Sequence, residues 1–214
     1  MSDAAARLHA IQTTIAEAAR VARRKPEAVT LVAVSKNRSA EEIEALIEAG
    51  QRHFGENRVQ EAASKWPVLR QRYPDVTLHM IGRLQSNKAD EAAALFDVIH
   101  SLDRPSLAEA LGKAGWRGPT YLQVNIGAEQ QKGGVAIAEL PAFLEQVKSR
   151  GIDVAGLMAI PPADVEPSPY FALLAKLARR HDVSGLSMGM SSDLKSALML
   201  GATVVRVGTA LFED

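Results

Sequence analysis

Eight short apolar runs alternating with helix-forming stretches predict a single (β/α)8 TIM barrel with one additional helix at its N-terminus. Two further observations point the same way. The first run, Val29-Thr-Leu-Val-Ala-Val-Ser-Lys36, is apolar without alternation and rich in β-branched residues, as expected of a parallel strand buried on both faces. With 214 residues, 47% of them hydrophobic, the chain can bury one sizeable core but is short for two. One domain over residues 1–214 is expected.

From Ala4 to Arg24 the residues are strong helix formers, with Leu8, Ile11, Ile15 and Ala18 on one face, and Pro26 ends the segment. After the first strand, Ser39 and Glu42 form a capping-box pattern that opens a helix to Ala49, closed by Gly50. The alternation then repeats. Strands are expected at His53–Gly55, Val76–Ile81, Val98–Ser101, Pro119–Asn125, Asp153–Ala159, Gly185–Met188 and Thr203–Val207. Helices are expected from Asn57 to Arg70, Lys88 to Leu95, from Pro105, which suits a first helical turn, from Ile137 to Ser149, Ser168 to His181 and Asp193 to Leu200. The proline-rich run Ile160–Pro169 reads as a surface loop, and no linker or internal repeat marks a domain boundary.

Basic and acidic residues balance at 25 each, which argues against a nucleic-acid or anionic-membrane partner. No cysteine is present, so disulfides, thiolate metal sites and cysteine nucleophiles are excluded. Neither a signal peptide nor a membrane-spanning run is evident, and a cytoplasmic location is expected.

A lysine ending a buried strand sits where α/β proteins place their chemistry. Lys36 is expected to be desolvated, hence a nucleophilic amine able to form a Schiff base, the alternative being a side chain that reaches solvent. Its partners come from the last quarter of the chain. The turn Ser187–Asp193 after strand seven and Arg206-Val-Gly-Thr209 after strand eight occupy the positions where barrels commonly bind phosphate. Gly208 allows close backbone approach, and Ser191 and Thr209 offer hydroxyls, with helix capping as the plainer role for Ser191 and Ser192. A phosphorylated carbonyl ligand is expected, either pyridoxal 5′-phosphate (PLP) or a sugar phosphate. Arg206 shares a strand face with Gly208 and should reach the same pocket one pleat deeper, where it would keep a pyridine nitrogen unprotonated. The alternative for Arg206 is an ion pair with a barrel carboxylate such as Glu56.

The segments Ala33-Val-Ser-Lys36, Phe54-Gly-Glu-Asn57, His79-Met-Ile-Gly-Arg-Leu-Gln-Ser-Asn-Lys88, Leu122-Gln-Val-Asn125, Gly156-Leu-Met-Ala-Ile-Pro161, Leu186-Ser-Met-Gly-Met-Ser191 and Val205-Arg-Val-Gly-Thr209 together resemble the YggS/PROSC family of pyridoxal-phosphate homeostasis proteins. That family is similar to the N-terminal barrel of alanine racemase and of the eukaryotic ornithine decarboxylases. The resemblance implies PLP on Lys36, phosphate contacts from Ser191, Gly208 and Thr209, and Arg206 near the pyridine nitrogen. It also implies Asn57, Met158 and Met190 as pocket wall. Where the family more usually has Thr-Lys-Pro after the lysine, this chain has Asn37-Arg-Ser39, keeping the basic residue as Arg38. Glu129 and Lys132 match a family pair in the loop after strand five, with no role assigned.

A racemase needs an acid/base group on each face of the cofactor. In the racemase relatives the second is a tyrosine from a second domain, and Tyr73, Tyr121 and Tyr170, the only tyrosines here, fall away from expected strand ends. The expectation is a monomeric, non-catalytic protein that binds, buffers or delivers PLP, with PLP-dependent apoenzymes as recipients. Alternatives are a slow amino-acid racemase using water or Lys132, and a class I aldolase. His53, His79 and His100 lie near strands two, three and four without a short ligand spacing, so satisfied core or surface histidines are expected in place of a metal site.

Overall fold

In the computed structural model, which describes residues 2–213, eight parallel strands pair in chain order and close into a barrel. The strands are β1 (Thr30–Val34), β2 (His53–Glu56), β3 (Thr77–Met80), β4 (Val98–Leu102), β5 (Thr120–Gln123), β6 (Val154–Met158), β7 (Gly185–Ser187) and β8 (Val204–Val207). Closure is made by β1 and β8, with Val32 opposite Arg206. The expected (β/α)8 class and the extra N-terminal helix are both present.

That helix, α1 (Asp3–Val21), begins at Ser2, whose side chain accepts from Ala5 N–H. It ends one turn short of the expected Arg24, and Arg23 takes a left-handed φ of 55°. Around the barrel follow α2 (Ala40–Glu48), α3 (Val59–Arg72), α4 (Ala89–Leu95), α5 (Pro105–Lys113), α6 (Leu140–Lys148), α7 (Ser168–Arg180) and α8 (Leu194–Met199). The capping box at Ser39 and Glu42 forms in both directions, and Pro105 occupies the first turn of α5. Helix α6 starts three residues later than Ile137, because the chain from Asn125 to Glu139 is taken up by turns and by a bridge between Val124 and Val135. A short α9 (Thr209–Phe212) follows β8; four residues are too few for periodicity to reveal.

Two apolar layers result from strand alternation. The larger lies between strands and helices and includes Leu31, Ala33, Phe54, Trp66, Leu78 and Val205. The smaller fills the barrel interior with Val32, Val98, Tyr121, Met158 and Val204. Apolar side chains do not fill that interior completely, and the remainder is polar.

Candidate functional site

Lys36 stands two residues past the end of β1, in a turn closed by Arg38 N–H donating to Ser35 O at 3.2 Å. It is exposed, which corrects the expectation of desolvation: the strand is buried on both faces only as far as Ala33, and the chain turns outward before the lysine. The turn is anchored from below. Buried Glu56, at the end of β2, accepts on Oε1 from Ser35 Oγ at 2.7 Å and from Trp66 Nε1 at 2.9 Å. Lys65 Nζ lies 2.9 Å from the same oxygen and donates to Ser35 O at 3.0 Å. Arg38 pairs with Glu42 in α2 and ties the same loop to the C-terminal segment through an ion pair with Glu213.

Lys36 opens onto a cavity with two lobes that share Val34, Lys36, Met190 and Arg206. One, about 340 Å³, is lined also by Arg38, Ser191, Ser192, Gly208 and Thr209. The other, about 270 Å³, includes Asn57, Ile81, Arg83, Asp103, Gln123 and Ile160. The structure thus brings together Lys36, Ser191, Arg206, Gly208, Thr209, Asn57 and Met190. Met158 lines neither lobe; it is fully buried within the barrel's inner layer because β6 ends there with its side chain turned toward Val32 and Val204, so its expected place in the pocket wall is corrected.

Helix capping does not occupy the two serines. Asp193 holds the cap position of α8 and accepts from Met190 N–H at 2.5 Å, and among the described residues neither serine hydroxyl has a hydrogen-bond partner. The turn depends on Gly189, at φ +98°, where a Cβ would lie 2.5 Å from that of Ala197. Gly208 is different. A Cβ there meets only Val34 at 3.5 Å, an ordinary contact, so the space left by the missing side chain opens toward the cavity.

Arg206 lies beneath, 4% exposed. It donates from Nη1 to Ser187 Oγ at 2.6 Å and from Nη2 to Ala159 O at 3.3 Å, leaving three of its five N–H groups uncommitted. Glu56 is not its partner, and among the described residues no carboxylate forms an ion pair with it. Burial lowers its pKa to about 10, opposed by the more distant Asp193, so it stays cationic at neutral pH. A buried cation without a counter-ion carries a desolvation penalty that an acceptor entering the cavity would relieve.

Sequence reasoning missed what lies behind Arg206. Ser187 Oγ is 2.7 Å from His100 Nδ1, His100 Nε2 is 2.9 Å from His79 Nδ1, and His79 Nε2 is 3.0 Å from His53 Nδ1. His100 also stacks on Tyr121 with centroids 4.5 Å apart. Burial depresses all three histidines, with the neighbouring ring adding to the effect at His79, which is lowered to about 3, and at His100. They are satisfied side chains, and among the described residues no cluster of three or more potential ligands could hold a metal. The available signal was one histidine on each of three consecutive strands.

Glu129 and Lys132 form an ion pair at 2.7 Å, and Lys132 Nζ also donates to Pro161 O at 3.1 Å. They fasten the β5–α6 loop to the β6–α7 loop. No helix among the described residues is long and apolar enough to cross a membrane.

Fold and cavity together define a parallel (β/α)8 barrel with a lysine at the mouth of its first strand and a hydroxyl- and glycine-bearing rim above a buried arginine. Residues 7–214 match the model of the alanine racemase N-terminal domain. The chain belongs to that family and, within it, to the pyridoxal phosphate homeostasis proteins. It is 40% identical to the protein of that name from Pseudomonas aeruginosa, over 99% of this chain and 96% of the relative. The Escherichia coli protein of that name is 37% identical over 99% and 97%. The structure of PipY from Synechococcus elongatus with PLP bound matches with a TM-score of 0.78 and 41% identity over 92% of this chain and 99% of that one. Alanine racemase from Corynebacterium glutamicum, at 19% identity and a TM-score of 0.68, covers 94% of this chain and 60% of its own; that likeness is one of fold.

Proposed function

We propose that this protein is a single-domain PLP carrier that holds the cofactor covalently through Lys36 and acts in intracellular PLP homeostasis by binding, buffering or delivering it. The observation that carries this reading is the exposed Lys36 sharing one cavity with Ser191, Gly208, Thr209 and a buried Arg206 lacking a counter-ion. The donor set fits PLP. Ser191, Thr209 and the backbone at Gly208 would hold the phosphate, Arg206 would face the pyridine nitrogen, and Asn57 and Met190 would form the wall. PLP supplies an aldehyde that condenses with the Lys36 amine, with loss of water. An arginine at the pyridine nitrogen donates a hydrogen bond without yielding its proton, so it leaves the ring a weak electron sink.

Lys36 at an exposed mouth suits a cofactor that must leave, whereas a catalytic site excludes water. No tyrosine lines either lobe, and the Lys132 ammonium is engaged by Glu129 and Pro161. Both observations favour a carrier over a racemase. The reading includes a cytoplasmic monomer that passes PLP to apoenzymes dependent on it.

The test is the visible spectrum of the protein with added PLP, before and after borohydride, for wild type and Lys36→Ala. A band that borohydride removes, present in wild type and absent from the variant, is expected. No band in wild type would leave the aldolase reading in the lead, and steady-state racemisation of an amino acid by the loaded protein would overturn the carrier role.

A further inference from the structure

Hydrogen-bond direction in the buried chain behind Arg206 follows from one donor whose sense is fixed. A guanidinium only donates, so Ser187 Oγ accepts from Arg206 at 2.6 Å. The serine proton then has one acceptor in reach, His100 Nδ1 at 2.7 Å. His100 must carry its own proton on Nε2 and give it to His79 Nδ1 at 2.9 Å. By the same step His79 Nε2–H donates to His53 Nδ1 at 3.0 Å. In the opposite sense Ser187 would receive two donors while its hydroxyl proton met no acceptor among the described residues, leaving a buried donor unsatisfied.

The chain crosses the barrel. His53 opens β2 and lines a cleft of about 400 Å³ with Gln12, Thr30 and Gln51, at the amino ends of the strands. Arg206 lines the Lys36 cavity at the other end.

We propose that Ser187, His100, His79 and His53 are positioning residues for Arg206, forming a hydrogen-bond chain whose direction the guanidinium sets and which holds its remaining N–H groups toward the Lys36 cavity. The chain does not conduct protons to the cofactor site. A proton entering at His53 would have to pass through Ser187 to a group that already carries its full complement. The chain therefore orients Arg206 and leaves its charge unchanged. Direction is a property of the protein alone; the effect on PLP rests on the function proposed above.

Nitrogen-15 NMR of the full-length protein labelled at histidine, without PLP, reads the tautomers. At neutral pH, His53, His79 and His100 are each expected to bear the proton on Nε2 with Nδ1 bare. Ser187→Ala should release His100 into a mixture of tautomers, and Ser187→Thr, which keeps the hydroxyl, should restore the wild-type pattern. A wild-type His100 protonated on Nδ1 overturns the proposal, as does a Ser187→Ala spectrum with unchanged tautomers. Should Ser187→Ala fail to fold, the wild-type tautomers alone decide. PLP is then titrated. Ser187→Ala is expected to bind about tenfold more weakly, the effect of one lost charge-assisted hydrogen bond, and equal affinity would overturn the positioning role. Correct tautomers in a wild type that binds no PLP would uphold the chain and sink the cofactor assignment instead.

Discussion

Two buried polar networks flank the cavity, and they solve the same problem by different means. On the β1–β2 side, Glu56 gathers Ser35, Trp66 and Lys65 on one carboxylate oxygen, so a buried charge is met by an opposite charge. On the β7–β8 side, Arg206 is met by the neutral Ser187 and Ala159 O, and the histidines behind it are held neutral by burial. The first network pairs its charge without a ligand, though Glu56 Oε2 keeps no hydrogen-bond partner among the described residues, and it fixes the loop that carries Lys36. The second leaves a cation and its free N–H groups facing the cavity. The contrast teaches that the lysine side is built for rigidity and the arginine side for a guest.

Acid should separate the two networks most strongly. The histidines bind protons less readily in the native protein than at their ordinary pKa of 6.5, with His79 held down to about 3. The unfolded state therefore takes up protons first as pH falls. Their contribution to stability is complete above about 6.5 and is lost toward 3, at up to about 1.4 kcal/mol per pH unit for each histidine concerned. Urea unfolding at stepped pH should show this slope, and His79→Gln should flatten it; an unchanged slope in that variant would break the contrast. Glu56→Ala comes next. It strips Trp66 and Ser35 of an acceptor and Lys65 of one of two carboxylates, costing about 3 kcal/mol in the same assay. Ser187→Ala should cost about 2 kcal/mol. Because the networks share no partner, the double variant should add the single costs within about 0.5 kcal/mol, and a larger coupling would make them one unit. Smallest in stability is Gly208→Ala, within about 0.5 kcal/mol because the new methyl meets only Val34. PLP titration of that variant should nonetheless show weakened binding, since the methyl projects into the phosphate end of the cavity.

Much of this was legible in the chain. The uninterrupted apolar run from Val29 marked β1, the capping box at Ser39 and Glu42 formed, and Pro105 opened α5. These are local effects, set by dihedral preference and by hydrogen bonds three or four residues apart. The rim residues Ser191, Gly208 and Thr209 could be placed together because parallel strands deliver their carboxyl ends to one face. What failed was of another kind. The exposure of Lys36 depends on how sharply the chain turns after Val34, and the burial of Met158 depends on the inner-layer side chains of other strands that pack with it.

By itself, the sequence determined the barrel, the order of its strands and the identity of the groups at its mouth, because alternation and periodicity state which face each residue presents. Only the tertiary structure decided which inward faces meet. His53, His79 and His100 lie on strands whose stagger is set by closing the barrel, and closure is a property of all eight strands at once. That stagger brings the imidazole nitrogens of His79 to within 3.0 Å of His53 on one side and of His100 on the other and sets the three behind an arginine more than a hundred residues away. The sequence places one histidine on each of three consecutive strands, but spacing along the chain does not show that their rings meet.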